Sequence, residues 1–176
     1  MIKKRLKSIK NYFRELGIDG YIVPKNDEFF SEYSQKDRLN FISNFTGSAG
    51  YAIILKNKNY LFVDGRYTIQ AEVESSKNFK IVNYQKIVNC NLFKNLTLGI
   101  DPKLFTSSQV KKFFLKNNKI KLINENLIDE ISKKKISLSK AFFSINTNIV
   151  GESLKSKINK IKVFLKKNRS DWMFIS

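Results

Sequence analysis

The chain has 176 residues, 42% of them hydrophobic, which suffices for one ordinary domain with a real core but not comfortably for two. It carries 33 Lys and Arg against 15 Asp and Glu, a net charge of +18, and it contains no histidine. The missing histidine excludes Ser-His-Asp triads, Cys-His pairs and typical zinc sites, and leaves only all-carboxylate metal sites open.

The sequence pattern of the N-terminal half of the chain predicts a helix, a strand, a second helix and a hairpin. Hydrophobic residues at spacings of 4, 3 and 4 predict that the first helix is amphipathic, and Gly17 is suited to end it. The proline at position 24 closes the first strand, and residues 57–59 form the hairpin turn. In chain order, we predict a helix over 2–16, a strand over 20–24, a helix over 38–43, and strands over 51–56 and 60–64.

The next segment alternates strands and helices. We predict a helix over 66–75, strands over 79–84 and 96–100, a helix over 106–117, a strand over 120–124 and a helix over 127–132. Thr106 and Gln109 have capping-box spacing, and the helix that they begin directs Val110, Phe113 and Phe114 inward. A hairpin followed by alternating strands and helices predicts an α/β domain, with a mixed sheet covered by helices on at least one face.

The end of the chain repeats its beginning. Residues 1–135 form the predicted domain, and the Lys-rich and polar residues 136–151 are predicted to be a linker. Leu154 stands 152 residues after Ile2 and opens the same 4, 3, 4 spacing, and the run 171–176 then matches the first strand. We therefore expect residues 152–176 to be the incomplete start of a second, similar domain. Packing of this helix and strand onto the first domain is the alternative.

The positive charge has two interpretations. A basic chain is typical of nucleic-acid binders. Here, however, Lys greatly outnumbers Arg, and Lys, Asn, Ile and Phe are all abundant, as in proteins from AT-rich genomes. No basic run is interleaved with an aromatic platform. Compositional drift is therefore favoured over a nucleic-acid partner.

The sequence also bears on cellular location. No apolar run approaches the ~20 residues of a membrane span. The basic N-terminus is not followed by the apolar segment of a signal peptide. The single cysteine, Cys90, fits a reducing compartment. We expect a cytoplasmic protein without a membrane partner.

Residues 46–50, TGSAG, place small residues between a helix and a strand. Such a turn can expose backbone N–H groups to phosphate. It lacks the GxxxxGK[ST] pattern and the following helix of a phosphate-binding loop. We therefore predict a tight scaffold turn, in which Gly47 and Gly50 supply unusual φ angles and allow close packing.

Residues 64–67, DGRY, end a strand and begin a helix. Asp64 at such a corner is more commonly an N-cap than a metal ligand. An arginine in the first helical turn is unfavourable with the helix dipole, so we expect Arg66 to reach a carboxylate of the protein or of a ligand, which it can hold bidentately. Because Asp27, Glu28, Asp64 and Asp101 all follow strands, a two-metal nuclease site remains a weaker alternative.

The order of these motifs resembles the N-terminal domain of Xaa-Pro aminopeptidases, of the creatinase N-terminal type. The resemblance covers residues 18–132, and residues 152–176 resemble the start of the related second domain of three-domain members. The matching segments are Tyr21–Pro24, Ser31–Tyr33, Arg38–Gly50, Val63–Tyr67 with Gln70-Ala71, and Gly99–Pro102.

The resemblance implies an α/β fold with a mixed sheet flanked by helices, and an activity that removes an N-terminal residue preceding proline. In the family, two divalent metals, typically manganese, are held by two Asp, one His and two Glu in a C-terminal domain that these residues do not include. We therefore expect no cofactor in this chain, no catalysis by the chain alone, and a catalytic C-terminal domain as its partner in cis or in trans.

The resemblance also assigns residues. It places Arg66 on the substrate side of the cleft and gives Gly47, Gly50, Asp64 and Tyr67 scaffold roles. It further implies a peptide substrate with proline second, and a homodimer. The alternative is a free-standing interaction module that uses the helix at 152–167 as its docking face.

Overall fold

The chain forms two compact units, Met1–Ile136 and Ser137–Ser176. The computed structural model describes residues 1–31, 36–87, 92–114, 116–132 and 143–174. Two features named above, Glu32-Tyr33 of the family motif and Cys90, lie outside the described residues.

The first unit contains all of the helices and strands predicted for it, with boundaries moved by a few residues. Short 3₁₀ turns over Gly65–Tyr67, Tyr84–Ile87 and Pro102–Leu104 follow three of the strands. The elements are α1 (Ile2–Glu15), β1 (Gly20–Pro24), α2 (Arg38–Ser43), β2 (Gly50–Leu55), β3 (Asn59–Val63), α3 (Thr68–Ser75), β4 (Lys80–Asn83), β5 (Thr97–Ile100), α4 (Ser107–Phe113), β6 (Lys119–Leu122) and α5 (Leu127–Ser132).

One boundary differs for a clear reason. α4 begins with the predicted capping box, in which Thr106 and Gln109 bond each other's backbone N–H groups. It ends at Phe113 and not at residue 117 as predicted. The Asn117 carbonyl accepts a hydrogen bond from the Asn95 N–H at 2.7 Å, and pairing with β5 starts two residues later. The chain must therefore leave the helix early to enter β6.

The six strands form one mixed sheet in the order β4-β3-β2-β1-β5-β6. β2 is antiparallel to both of its neighbours, whereas the β3–β4, β1–β5 and β5–β6 pairs are parallel. Five strands therefore run in one direction, and β2 alone runs against them. As a result, the carboxyl ends of five strands and the amino end of β2 meet at one edge of the sheet.

Helices cover both faces of the sheet. On one face, the apolar stripe of α1 (Ile2, Leu6, Ile9 and Phe13) packs with α2, α3 and α5 against alternate strand residues. On the other face, Phe114 and the inward side of α4 close a cluster rich in aromatic residues. The alternation of Tyr21, Ile22 and Val23 between the two clusters shows why β1 is apolar throughout.

The second unit contains two helices in its described part. α6 (Thr147–Val150) lies within the stretch predicted as a linker, and Gly151, at a φ of 75°, ends it. α7 (Leu154–Lys167) is the predicted amphipathic helix, and the Ser153 side chain caps it. Residues 171–174 do not form the predicted strand, since nothing described in this unit offers a strand edge for their backbone.

Candidate functional site

The topology brings the two sequence motifs to the same edge of the sheet. FTGSAG leads into β2, and DGRY directly follows β3. Because β2 and β3 are antiparallel, with Gly50 opposite Val63, the start of one strand and the end of the other are neighbours. The loops after β1 and β4 begin at this edge as well.

The FTGSAG turn is shaped by close packing. A Cβ on Gly50 would lie 2.8 Å from the backbone oxygen of Phe62, and one on Gly47 would lie 2.3 Å from the buried ring of Phe45. Neither glycine has a positive φ, so the predicted unusual φ angles are wrong. The turn needs glycine for space, because the β3 backbone and the Phe45 ring occupy the positions that side chains would fill.

The DGRY corner is a cap, as predicted. The Asp64 carboxylate accepts hydrogen bonds from the Arg66 backbone N–H at 3.0 Å and from its side-chain Nε at 2.9 Å. The backbone bond, and then the side-chain bond, hold the pKa of Asp64 below its usual value. The Arg66 side chain is 76% exposed, and its guanidinium carbon lies 5.6 Å from the centre of the Tyr67 ring. Arg66 thus bonds an internal acid through Nε while most of its surface faces solvent.

Tyr67 joins the two motifs. Its phenol oxygen lies 2.9 Å from Ser48 Oγ, and its ring meets that of Phe45 edge-on, with the ring centres 6.0 Å apart. A second link follows from α3, where the Glu74 carboxylate accepts bonds from the Thr46 N–H and hydroxyl at 2.8 and 2.7 Å. FTGSAG and DGRY are therefore joined by side-chain contacts into one corner.

A cleft of about 210 Å³ opens beside this corner. Its walls come from the loop after β1, the FTGSAG turn and the ends of β3 and β4; the polar lining residues are Lys25, Asn26, Ser31, Ser48, Tyr51, Asp64 and Tyr84. The Tyr51 ring stacks on that of Tyr84 at 5.6 Å between centres, and burial raises the pKa of Tyr51 above its ordinary value. The cleft therefore offers hydroxyl and amide groups to a polar ligand, whereas the Lys25 ammonium in its wall is paired with Asp37 and the Asp64 carboxylate is bonded by Arg66.

The strand-end acids are used in local contacts. Asp27 accepts bonds from the N–H groups of Phe29 and Ser31, and the buried Asp101 accepts them from the Lys103 N–H and the Asn126 side chain. No group of three or more His, Cys, Asp or Glu side chains that could hold a metal ion occurs among the residues the structure describes. These residues therefore do not fit the family's two metals, and no observation favours the nuclease alternative.

Arg38, which the sequence analysis did not single out as a functional residue, holds a carboxylate bidentately. Its Nε and one terminal nitrogen contact the two Asp129 oxygens at 2.8 and 2.7 Å, and the same terminal nitrogen contacts Glu28 at 2.6 Å. The Arg38 side chain is only 3% exposed. Arg38 and Asp129 are 91 residues apart, so no spacing pattern in the sequence predicts that they pair. The sequence indicates only that a charged residue begins the largely apolar helix RLNFIS and needs a partner there.

This network sets the charge state of its acids. The bond from Arg38 lowers the pKa of Glu28 against a smaller effect of burial. Burial raises the pKa of Asp129, but the bonds and charges of Arg38 and Lys36 outweigh it, so the pKa of Asp129 is also lowered. Both carboxylates are therefore ionised at neutral pH and tie the loop after β1 and α5 to α2.

The described residues were also searched for a helix that could cross a membrane. None of their helices combines the length and the apolar character that a bilayer requires.

The sheet and its corner define an N-terminal domain of the creatinase/prolidase class. The family model of the creatinase/prolidase N-terminal domain matches residues 5–131, and the chain belongs to this family. The resemblance of residues 18–132 to this N-terminal domain and the predicted α/β fold with a mixed sheet are thereby confirmed.

The chain is similar to Xaa-Pro aminopeptidases. It is 34% identical over 142 residues to a probable Xaa-Pro aminopeptidase P of Laccaria bicolor and 35% identical over 150 residues to aminopeptidase P2 of Arabidopsis thaliana. These alignments cover 73% and 76% of this chain but 22% and 21% of the relatives. The chain thus spans about a fifth of the length of the curated relatives it matches.

Its fold is that of a solved enzyme. The X-prolyl aminopeptidase of Caenorhabditis elegans, a cytosolic enzyme with a di-nuclear active site, superposes with a TM-score of 0.70 at 23% identity. The superposition covers 97% of this chain and 32% of that one.

Proposed function

We propose that this chain is the N-terminal, non-catalytic part of an Xaa-Pro aminopeptidase, and that its DGRY corner borders the peptide cleft. The observation that carries the proposal is the corner itself. Ser48 and Tyr67 fix FTGSAG to DGRY, and the fixed corner presents Arg66 beside a polar cleft. The peptide would have proline as its second residue.

Arg66 is the proposed substrate-binding residue. Its Nε is engaged by Asp64, which orients a guanidinium whose planar fork matches carboxylate or carbonyl oxygens. A charged fork at a fixed distance from the reacting bond selects peptides by their length or by their polar end. The task of this chain would be to bind and orient the peptide.

The hydrolytic chemistry is assigned to a catalytic C-terminal domain, in cis or in trans. Two divalent metals there, typically manganese in this family, would supply the metal-assisted hydrolysis. The chain itself contains no histidine, and its described residues hold no suitable cluster of ligands. We expect the isolated chain to be inactive.

Exposed apolar side chains around the corner support a cleft that another part of the enzyme completes. Ile69 and Val73, one turn apart on α3 just after Arg66, are each 80% exposed, and Phe30 lines the cleft while Phe29 beside it is exposed. Exposed large apolar side chains that adjoin one another, as Ile69 and Val73 do on α3 and Phe29 and Phe30 do in the loop after β1, are typical of interaction surfaces. The catalytic domain is the proposed occupant here, and the same face could serve a homodimer.

Residues 152–176 are proposed to begin a second, related domain, with 136–151 as the connection from the first domain at 1–135. α7 has the same 4, 3, 4 apolar spacing as α1 at an offset of 152 residues. The four stripe residues are buried in α1, whereas none of the α7 residues is buried. A stripe without a cover is expected of a helix whose sheet is formed by further chain.

The test compares Arg66→Ala with Arg14→Ala in the full-length enzyme that carries this segment. We expect Arg66→Ala to lower kcat/KM for Xaa-Pro peptides by about tenfold or more, an effect that grows with peptide length, as for loss of a charged contact. Arg14, an exposed residue of α1, serves as the control and should leave kcat/KM unchanged. Equal kinetics for the two variants would refute the role of Arg66, and turnover by the isolated chain with manganese would refute its non-catalytic assignment.

One observation favours a second candidate, an interaction module that acts without the catalytic domain. Leu154 and Phe164 on α7 are 75% and 54% exposed, so the helix predicted at 152–167 has an apolar surface to offer. Light scattering of the isolated chain, alone and with a full-length relative, tests this role. A monomer in both samples would count against it.

For either function we propose a cytoplasmic location, as for the C. elegans enzyme.

A further inference from the structure

A second concave site lies at the other end of the sheet. It is a groove of about 410 Å³ between α1 and the start of β3 with the turn before β4. Four lysines line it, Lys3, Lys7, Lys10 and Lys77, together with asparagines that include Asn11 and Asn78. All of its lining residues are in the described part of the chain, and there is no acid among them.

The fold holds these lysines together despite their repulsion. Burial of the α1 stripe, with Ile9 fully inaccessible, fixes which flank of the helix faces the groove. Lys3, Lys7 and Lys10 follow the i, i+4, i+7 pattern and lie along roughly 10 Å of that flank. Like charges at this spacing disfavour the helix. The hydrophobic packing beneath them therefore maintains a positive cluster that would otherwise disperse.

Lys10 lies deepest of the helical lysines. Its ammonium donates a hydrogen bond to the Lys56 carbonyl at 3.1 Å, and partial burial lowers its pKa. None of the four lysines forms an ion pair with an acidic side chain within the described ranges. A bound anion would thus meet several ammonium groups that no described carboxylate contacts at ion-pair distance.

We propose that this groove binds a small ligand that carries two or more phosphate groups. The volume of the groove is within the range of small-molecule sites, so a compact ligand would fit it. Lysine binds phosphate as a point charge, and the asparagine amides provide donors for further oxygen atoms. A lone surface lysine would not select such a ligand, but four around one concavity focus their field on it.

The groove is separate from the peptide cleft. Asn59 lines the groove at the start of β3, whereas Asp64 lines the cleft just beyond the end of that strand. Five residues of extended chain separate them by about 17 Å. The proposal therefore does not depend on the peptidase assignment.

The experiment titrates the purified chain with inorganic tripolyphosphate by isothermal titration calorimetry at low ionic strength. The test variant is Lys3→Gln/Lys7→Gln, and the control is Lys86→Gln/Lys111→Gln, which removes the same charge from exposed positions outside the groove. We expect the test variant to weaken binding by about tenfold or more and the control to change it by less than about twofold. Circular dichroism verifies that both variants are folded.

Three outcomes would overturn the proposal. The first is no binding of tripolyphosphate by the unmodified chain. The second is an equal loss in both variants, which would show that total charge and not the groove attracts the anion. The third is tight binding of a single-stranded oligonucleotide without binding of tripolyphosphate, which would identify the basic surface as a nucleic-acid site.

Discussion

Ser48 and Tyr67 are 19 residues apart, yet their side-chain oxygens share a hydrogen bond of 2.9 Å. This contact joins the turn before β2 to the corner after β3. The Tyr67 ring also packs on Phe45, so this solvent-exposed bond lies beside an apolar contact. The proposed position of Arg66, the residue before Tyr67, depends on this contact.

A double-mutant cycle measures the contact. Tyr67→Phe and Ser48→Ala should each lower the free energy of unfolding by about 0.5–1 kcal/mol, the usual net worth of one hydrogen bond at a partly exposed site. The double variant should lose no more than one of the single variants, because both remove the same bond. Urea denaturation provides the values, and simple additivity would show that the bond contributes nothing.

Gly50 is expected to be intolerant of any side chain. A Cβ there would sit 2.8 Å from the Phe62 carbonyl oxygen, which belongs to the paired strand and cannot move independently. Gly50→Ala should therefore destabilise the domain by about 1–3 kcal/mol.

Gly65→Ala is the matched control for this prediction. At Gly65 the nearest atom, Asn83 Nδ2, would be 3.5 Å from the new Cβ, and the φ is not positive. We expect a change within about 0.5 kcal/mol, of either sign. Thermal unfolding of both variants measures the difference in stability between Gly50→Ala and Gly65→Ala. Equal shifts in Tm would contradict the packing explanation.

The Arg38 network should contribute strongly to stability. Arg38→Met leaves Glu28 and Asp129 without their common partner and should lower the free energy of unfolding by about 2–3 kcal/mol. This loss is below the usual range for a wholly buried pair, because both acids are partly exposed. Lys36→Met is the control. Lys36 contacts the same Asp129 at 3.3 Å from a more exposed position and should cost less than about 1 kcal/mol.

The same network predicts a dependence on pH. The pKa values of Glu28 and Asp129 are lowered in the folded chain, so protons bind more tightly to these acids after unfolding. The stabilisation is present above the unfolded pKa values of about 4 and is lost as pH falls through the lower folded values. The difference in unfolding free energy between the unmodified chain and Arg38→Met should therefore shrink between pH 7 and pH 3. A constant difference over that range would refute the electrostatic explanation.

The two amphipathic helices offer a test of the domain proposal. Leu6 on α1 is 6% exposed, and Ile158, the residue 152 positions later on α7, is 42% exposed. In this chain, Leu6→Ala should destabilise the first unit by about 2–4 kcal/mol. Ile158→Ala should have little effect on the same transition, because its side chain is not buried.

In a longer protein that contains the proposed second domain, Ile158→Ala should become as costly as Leu6→Ala. Guanidinium unfolding of the two variants in both proteins supplies the comparison. An Ile158→Ala variant that stays neutral in the longer protein would contradict the assignment of residues 152–176 to a second domain of the same kind.

Local patterns predicted most of the first unit. The stripe of α1, the Thr106–Gln109 capping box and the Asp64 cap depend on neighbours within a few residues, so sequence spacing is enough to reveal them. The corner was only half predicted. The motifs were recognised, but the Ser48–Tyr67 bond requires the register of β2 on β3, which spacing does not specify.

Features that depend on distant residues were missed or misread. The Arg38–Asp129 pair joins residues 91 apart, and the groove assembles lysines from α1 and from the turn before β4. The glycines of FTGSAG were predicted to supply unusual φ angles and to allow close packing; the φ angles are wrong, whereas the contacts with Phe45 and with the neighbouring strand confirm the close packing. At these positions the sequence shows whether a residue is charged or small, but it does not show which distant residue that side chain contacts.

The β2–β3 hairpin has a consequence for how this domain can change length. Its turn at residues 56–58 lies at the far end of the sheet, and the pairing runs without a bulge from Ile54 opposite Asn59 to Gly50 opposite Val63. Adding one residue to a single strand would slide Ser48 past Tyr67 and turn alternate side chains to the wrong face. Insertions in the hairpin are therefore tolerable only in the turn or as matched additions to both strands. The length of the two strands between FTGSAG and DGRY must therefore stay matched, because the turn that sets their register lies at the end of the sheet opposite to the motifs.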